Sequence, residues 1–570
     1  MTLKQASFCK NANDLMENHA RAIVHLRGQI YRDPKRVGLI LGAGVSQGIK
    51  SNHSTDKLPS WHDLISAIAQ HPDVKNEALL ISLGAHKQPD GTLCLKNMRR
   101  SLSSAAQMLA QAFKTKATRH GKSEGAKGIL ATRSANTKWM GVVHQCLYGT
   151  FQNEESYESA ISQHPYLSSL GKLIRQIPLT INFNFDDALE RLLFQLRDPK
   201  EKDTSRGYQT IWEPNSLTSK DTAVIYHPNG VLPYIFTDGP SPEIVLSDDA
   251  FHDQISNIAS GRSPLLTNYL HINTCLLIGL SLDDISLQQT LRQNAVSHPG
   301  HIHYVIHFMQ SETDCEQEVR EAIFNSNFEC FGLYTFFVDD GGIRDLIDLI
   351  SLDQDGFKRT YGAHTLKYVY YIVGSVGVGK TSAIKHLQSL KTYDEWIDRR
   401  LPELAKPEDT IDPNKKKEID RWLPTQFFKK NYQISEAKEF LHLVDRCPLD
   451  PLTFGLPEER LEKAKNLHST ITQSNNAVEC GHIILLTCGI DELRHRKSRK
   501  HKHDWNTAHI QELADRIEEV YGAINKTSIP TDGRSPESVS KEVARTIFLS
   551  DYNPVDIGAT LEKYSAGTLK

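Results

Sequence analysis

YVYYIVGSVGVGKTSAIKHLQSL, residues 368–390, reads as one strand–loop–helix unit. An apolar β-rich run stops at Gly374, a glycine-rich turn follows, and SAIKHLQSL predicts a helix. The turn GSVGVGKTS, residues 374–382, fits GxxxxGK[ST] at every fixed position and lies in the strand-to-helix context that the pattern requires. In such a loop, backbone N–H groups wrap phosphate oxygens. Gly374, Gly377, Gly379, Lys380, Thr381 and Ser382 are therefore expected to hold a nucleotide, ATP or a deoxynucleotide. Lys380 reaches the terminal phosphates, and Thr381 supplies a hydroxyl to magnesium.

Downstream, EFLHLVDRCPLDPLTF reads as a strand ending at Asp445-Arg446, and HIILLTCGIDELRHR as a strand leading into a basic helix or loop. Asp445 could hold magnesium, accept a substrate hydroxyl proton, or cap the strand end. The basic run comprises Arg494, Arg496, Lys497, Arg499, Lys500 and Lys502. It reads as a phosphate-closing lid, a solvated basic face or, third, a nucleic-acid contact.

Upstream, residues 353–365 (DQDGFKRTYGAHT) are polar and turn-rich and mark a domain boundary. Domains are expected over 1–355 and 366–570. In the first, residues 12–32 look helical, and a helical insertion covers about 97–150, interrupted by a loop at KTKATRHGKSEGAK. Strand-like runs at RVGLIL, IPLTINFNF, TAVIYHP, TCLLIGLS and HIHYVIHF alternate with helical segments, which predicts an α/β fold with a parallel sheet. Their ends carry polar or glycine residues: Gly42, Ala43, Gly44 and Ser46; Asn184 and Asp186; His227; Gly279 and Ser281. Such a sheet binds ligands at the carboxyl ends of its strands.

The ordered set GAGVS, NFNFDD, His227-Pro228-Asn229-Gly230 and GLSLDD resembles the sirtuin superfamily, above all the divergent sirtuin-like domains of bacterial anti-phage defence proteins, over roughly residues 30–350. The resemblance implies a Rossmann-like domain in which Gly42, Ala43, Gly44, Ser46, Gly279 and Ser281 contact NAD+, and Asn184, Asp186 and His227 do the chemistry. Many relatives read His-x-His-Gly; here Asn229 takes the second histidine's place, so the proton work is expected of His227. Four zinc-binding cysteines are expected of the deacylases. The nine cysteines here are scattered without a CxxC pair, so no zinc site and no acyl-lysine substrate are expected. Hydrolysis of NAD+ to nicotinamide and ADP-ribose is the implied reaction.

From residue 366 to about 550 the chain resembles nucleoside and nucleotide kinases, through GxxGxGKT and the closing IPTDGRSPESVSKEVARTI. By that resemblance Asp445 and Arg494 join the nucleotide site, Arg494 from the lid. The combined expectation is an anti-phage NADase controlled by a nucleotide trigger at the P-loop domain. Two alternatives are a nucleotide kinase with a regulatory NAD-binding module and a non-catalytic assembly protein.

Composition bounds the partners. Lys+Arg is 66 against Asp+Glu 69, which argues against a nucleic-acid coat protein. The opening residues carry no signal-peptide pattern, and no apolar run is long enough to span a bilayer. A cytoplasmic homo-oligomer without membrane contact is expected.

Overall fold

The computed structural model describes residues 3–32, 36–51, 57–87, 93–94, 99–119, 126–197, 207–213, 222–235, 244–246, 264–282, 284–405, 411–437, 440–454, 456–473, 476–500 and 507–569. Eight strands form the first sheet: β1 Phe8–Cys9, β2 Val37–Leu41, β3 Leu179–Asn182, β4 Tyr208–Ile211, β5 Ala223–Tyr226, β6 Thr274–Ile278, β7 His303–Phe308 and β8 Leu333–Val338. Their order is β1-β8-β7-β6-β2-β3-β5-β4, with every pairing parallel. Five parallel strands form the second: β9 Lys367–Val373, β10 Lys391–Tyr393, β11 Phe440–Asp445, β12 His482–Thr487 and β13 Lys526–Pro530, in the order β10-β11-β9-β12-β13. The fold is α/β, as the alternation of strand and helix predicts.

Side chains alternate along each strand, so an all-parallel sheet needs cover on both faces. Leu39 and Leu41 of β2 enter one core cluster, and Ile40 enters another. The switch point of the first sheet lies at β2, where the order runs outward through β3 on one side and β6 on the other. The loops after β2, β3 and β6 meet there, and these carry the predicted residues.

The two sheets share one core. Leu26 and Ile30 of the helix Ala12–Arg32, Tyr304 and Phe336 of the first sheet, and Tyr370, Ile372 and Leu443 of the second fall in a single buried cluster. That first helix lies between the sheets. His25 meets the Tyr304 hydroxyl at 2.6 Å on one side and the Ser389 carbonyl at 3.1 Å on the other. Arg21 donates to the Ile547 carbonyl at 2.6 Å.

Two expectations change. The polar, turn-rich stretch is not turns throughout: Gln354–Tyr361 is helical, Phe357 is fully buried, and the Arg27 guanidinium lies 3.8 Å from its ring centre. Nor is KTKATRHGKSEGAK a loop throughout. Helix Leu102–Arg119 runs into it and helix Ala126–Tyr148 leaves it, because Lys, Ala and Arg favour helix. Residues 120–125 lie outside the described set.

Candidate functional site

The first site begins where β2 ends. Gly42 N–H donates to the Ile278 carbonyl at 2.9 Å, and Gly44 N–H to the Gly279 carbonyl at 2.8 Å. A Cβ at Gly44 would stand 2.7 Å from Gly279 Cα. One at Gly279, whose φ is +68°, would stand 2.4 Å from Val45 N. These glycines therefore interlock two strand-end loops. The N–H groups of Gly42 and Gly44 are committed to that packing. Ala43 and Gly44 present the loop's exposed edge, and Ser281 is exposed at the neighbouring one.

Asn184 is buried against these loops. Its Nδ2 donates to the Gly42 carbonyl at 3.0 Å and to Ser46 Oγ at 2.9 Å, while Oδ1 is buried without a partner. Ser46 in turn hydrogen-bonds the Asp186 side chain, so Asn184, Ser46 and Asp186 form one chain. Burial raises the Asp186 carboxyl above its ordinary range. Asp186 Oδ1 also accepts from Ala188 N–H at 3.1 Å, opening the helix Ala188–Gln195.

His227 is placed differently from the expectation. It is fully buried; Nδ1 meets the Asn184 carbonyl at 2.8 Å and Nε2 meets Glu190 Oε1 at 2.8 Å. Both ring nitrogens are engaged, so neither is open to take a proton from a substrate. Asn229 is half-buried, with Nδ2 donating to the Phe183 carbonyl at 3.1 Å.

Three groups around the crevice escaped the sequence reading. Glu190 holds His227. Tyr148, from the helical insertion, donates to the Leu232 carbonyl at 2.7 Å and meets Asp187 Oδ1 at 3.2 Å. Burial pushes Asp187 up to about 6, against the pull of the Arg191 guanidinium 2.9 Å away. The spacing Asp187-x-x-Glu190 puts two carboxylates one helical turn apart and was the available signal for Glu190.

The second site opens on a cleft of about 970 Å³ beside the P-loop. Gly374, Gly377 and Gly379 have φ of +140°, +94° and +109°, conformations that glycine alone adopts freely. Lys380 Nζ donates to the Gly374 and Ser375 carbonyls at 2.7 and 3.1 Å. Burial, helped by Arg446, lowers Lys380 to about 8. Thr381 Oγ1 donates to Asp445 Oδ2 at 2.9 Å, and Asp445 Oδ1 is buried without a partner. A hydroxyl, a spare carboxylate oxygen and a phosphate loop fit a hydrated magnesium–nucleotide. Ser382 and Gly377 line the same cleft.

Other groups there were not singled out by sequence. Glu395 pairs with Arg446 at 2.6 Å, and Arg446 reaches Asp450 at 3.3 Å. The buried Lys430 donates to the main-chain carbonyls of Glu395 and Asp445 at 2.8 and 2.7 Å. Of the basic run, Arg496 reaches the loop, donating to the Val378 carbonyl at 3.1 Å and the Thr531 carbonyl at 2.6 Å. Arg494 is exposed and does not line the cleft, whereas Arg496 does. The side chains of Lys497, Arg499 and Lys500, and Lys502 entirely, lie outside the described residues.

The fold is α/β with two strand-end clusters, one at the ends of β2, β3 and β6 and one at the P-loop, an arrangement that fits a nucleotide-related enzyme. Residues 178–330 match a family model for the SIR2-like domain. No match to a curated protein was found. Among solved structures, the chain is similar to the tunicamycin resistance protein of Deinococcus radiodurans, at 18% identity over 33% of this chain and 99% of the other, with a TM-score of 0.21. It is similar to deoxyadenosine kinase from M. mycoides at 14% identity, over 31% and 98%, with a TM-score of 0.24. It is also similar to a gluconokinase from Sinorhizobium meliloti at 13% identity, over 36% and 96%, with a TM-score of 0.20. Among the described residues, no helix is long and apolar enough to cross a membrane.

Proposed function

We propose that the chain hydrolyses NAD+ to nicotinamide and ADP-ribose at the Asn184 crevice, and that a magnesium–nucleotide in the P-loop cleft controls this reaction as part of an anti-phage defence. The observation that carries the reading is the buried, partnerless Oδ1 of Asn184, with its amide N–H groups already committed to Gly42 and Ser46. An unmet buried acceptor costs on the order of 1–3 kcal/mol, and a ligand or water recovers it.

Breaking the nicotinamide–ribose bond builds positive charge on the sugar. Asn184 Oδ1 is the negative end of a fixed dipole and stabilises that charge, while holding the attacking water. The water oxygen bonds to the ribose carbon, nicotinamide leaves as the neutral base, and the water's proton passes to Asp186, joined to Asn184 through Ser46. Uncontrolled NAD+ loss kills the cell, so a second ligand must set the activity. The shared core and the helix Ala12–Arg32 give the two sites a physical connection.

The test is nicotinamide release by purified protein, with and without a panel of nucleotides, followed by plaque counts in cells carrying wild type or Asn184→Ala. Release that depends on Asn184 and protection that disappears with it are expected. NAD+ left intact under every nucleotide condition overturns the reading.

A second reading is favoured by the Glu395–Arg446 pair facing the P-loop across the cleft. In it, the carboxyl-terminal domain transfers phosphate to a hydroxyl-bearing nucleoside or nucleotide. Phosphate transfer from ATP to such acceptors, without nicotinamide release, supports that alternative.

A further inference from the structure

Behind Asn184 lies a pair of buried charged groups that the hydrolytic step does not use. A carbonyl can only accept, so the contact between His227 and the Asn184 carbonyl requires Nδ1 to carry its proton. The other nitrogen, Nε2, faces Glu190 Oε1, which Thr210 Oγ1 also approaches at 3.1 Å. Glu190 Oε2 is buried without a partner. Burying such a pair, with one oxygen unmet, costs more than well-packed apolar residues would. The arrangement is thus poorly explained by stability alone.

We infer that Glu190 is a positioning residue: through the His227 ring it locks the main chain of Asn184 and so aims Oδ1 into the crevice. The inference rests on the hydrolase reading. The ring bridges the two groups, Glu190 Oε1 at Nε2 and the Asn184 carbonyl at Nδ1, so the orientation of His227 fixes the carbonyl of Asn184. Misplacing a reacting group by about 1 Å can cost about a hundredfold in rate.

Burial alone would lower His227, but the Glu190 carboxylate outweighs it and holds the ring above its ordinary value. Asp186 also faces the ring, and Asp187 and Arg191 face Glu190 and each other. The ring is protonated below its raised value, so activity is expected to fall as pH rises through that value. Without the carboxylate, burial dominates, and the fall moves to lower pH.

The experiment measures nicotinamide release, NAD+ affinity by calorimetry and thermal midpoint for wild type, Glu190→Gln and Glu190→Asp between pH 5.5 and 9. Glu190→Gln is expected to lose about tenfold or more in kcat with KM within about twofold, and to shift the alkaline limb to lower pH. Glu190→Asp should restore part of both, and it carries the test if Glu190→Gln does not fold. An unmoved alkaline limb with wild-type kcat overturns the inference. If wild type binds NAD+ without releasing nicotinamide, the hydrolase reading falls and the same limb is read on NAD+ affinity; a limb unmoved there overturns the pair as well. Absence of NAD+ binding overturns both.

Discussion

Asn184 and Lys380 are each buried at a strand end and each hold main-chain carbonyls that a ligand would complement or displace. Under the proposed hydrolysis, Asn184→Ala removes the buried, partnerless oxygen assigned to the developing sugar charge and the water. Nicotinamide release is expected to fall about a hundredfold or more, with the thermal midpoint kept within a few degrees. Wild-type turnover in a folded Asn184→Ala protein contradicts the assignment. Lys380 gives a pH signature. Burial lowers it to about 8, and a bound phosphate favours the charged form. Nucleotide binding should therefore take up a proton above that pH, and affinity should weaken by up to about tenfold per pH unit. Calorimetry in buffers of different ionisation enthalpy checks the uptake; equal heats at pH 8.5 would rule it out. The strand ends on which both residues were placed were legible in sequence because a short local pattern carries them. The burial of His227 and its two partners were not. Those partners are Glu190 and a main-chain carbonyl, and neither leaves a mark near HPNG.

At the scale of elements, the strand-end loops do the positioning. Gly279 closes β6 with φ +68°, and a Cβ there would meet Val45 N at 2.4 Å. Gly279→Ala should cost about 1–3 kcal/mol for the left-handed backbone, with the clash in addition. A lowered thermal midpoint and lost NAD+ affinity are expected together; a wild-type midpoint would mean the two loops do not interlock. The strands themselves were readable because apolar runs ending near Gly42, Asn184, Gly279 and Gly374 announce the element and where it stops. Contacts that join distant segments were not readable. Tyr148 reaches the Leu232 carbonyl from the helical insertion, and Lys430 reaches Glu395 and Asp445 from a long helix, Pro413–Ser435. Neither has a local spacing that betrays its partner. The helix over Gln354–Tyr361 was not readable in the turn-rich stretch 353–365, because its polar composition hides Phe357 and Tyr361, which pack on the core.

At the scale of the whole molecule, one core and one helix join the two sheets, and β11 runs from that helix to the P-loop cleft. Among the described residues, the non-glycine residues with positive φ are Phe440, at 130°, and Arg446, at 73°. They flank the run of β11. Phe440 packs its ring against Gly28 of the first helix, where a Cβ would stand 2.3 Å away, and Arg446 grips Glu395 in the cleft. Strained positions of this kind cost of order 1–3 kcal/mol each and persist only where the surrounding structure holds them. Gly28→Ala should therefore leave nucleotide affinity within about twofold but uncouple it from NAD+ turnover; coupling retained at full size would exclude this route. A coupling of about 1–3 kcal/mol changes either affinity 5- to 150-fold, and does so reciprocally. The central claim, that a nucleotide at Lys380 governs NAD+ cleavage at Asn184, is tested most directly by nicotinamide release from wild type, Lys380→Ala and Asn184→Ala across a titration of ATP and deoxynucleotides. The account predicts a nucleotide-dependent rate in wild type, a rate insensitive to nucleotide in Lys380→Ala, and almost none in Asn184→Ala. Identical, flat curves for wild type and Lys380→Ala would contradict it.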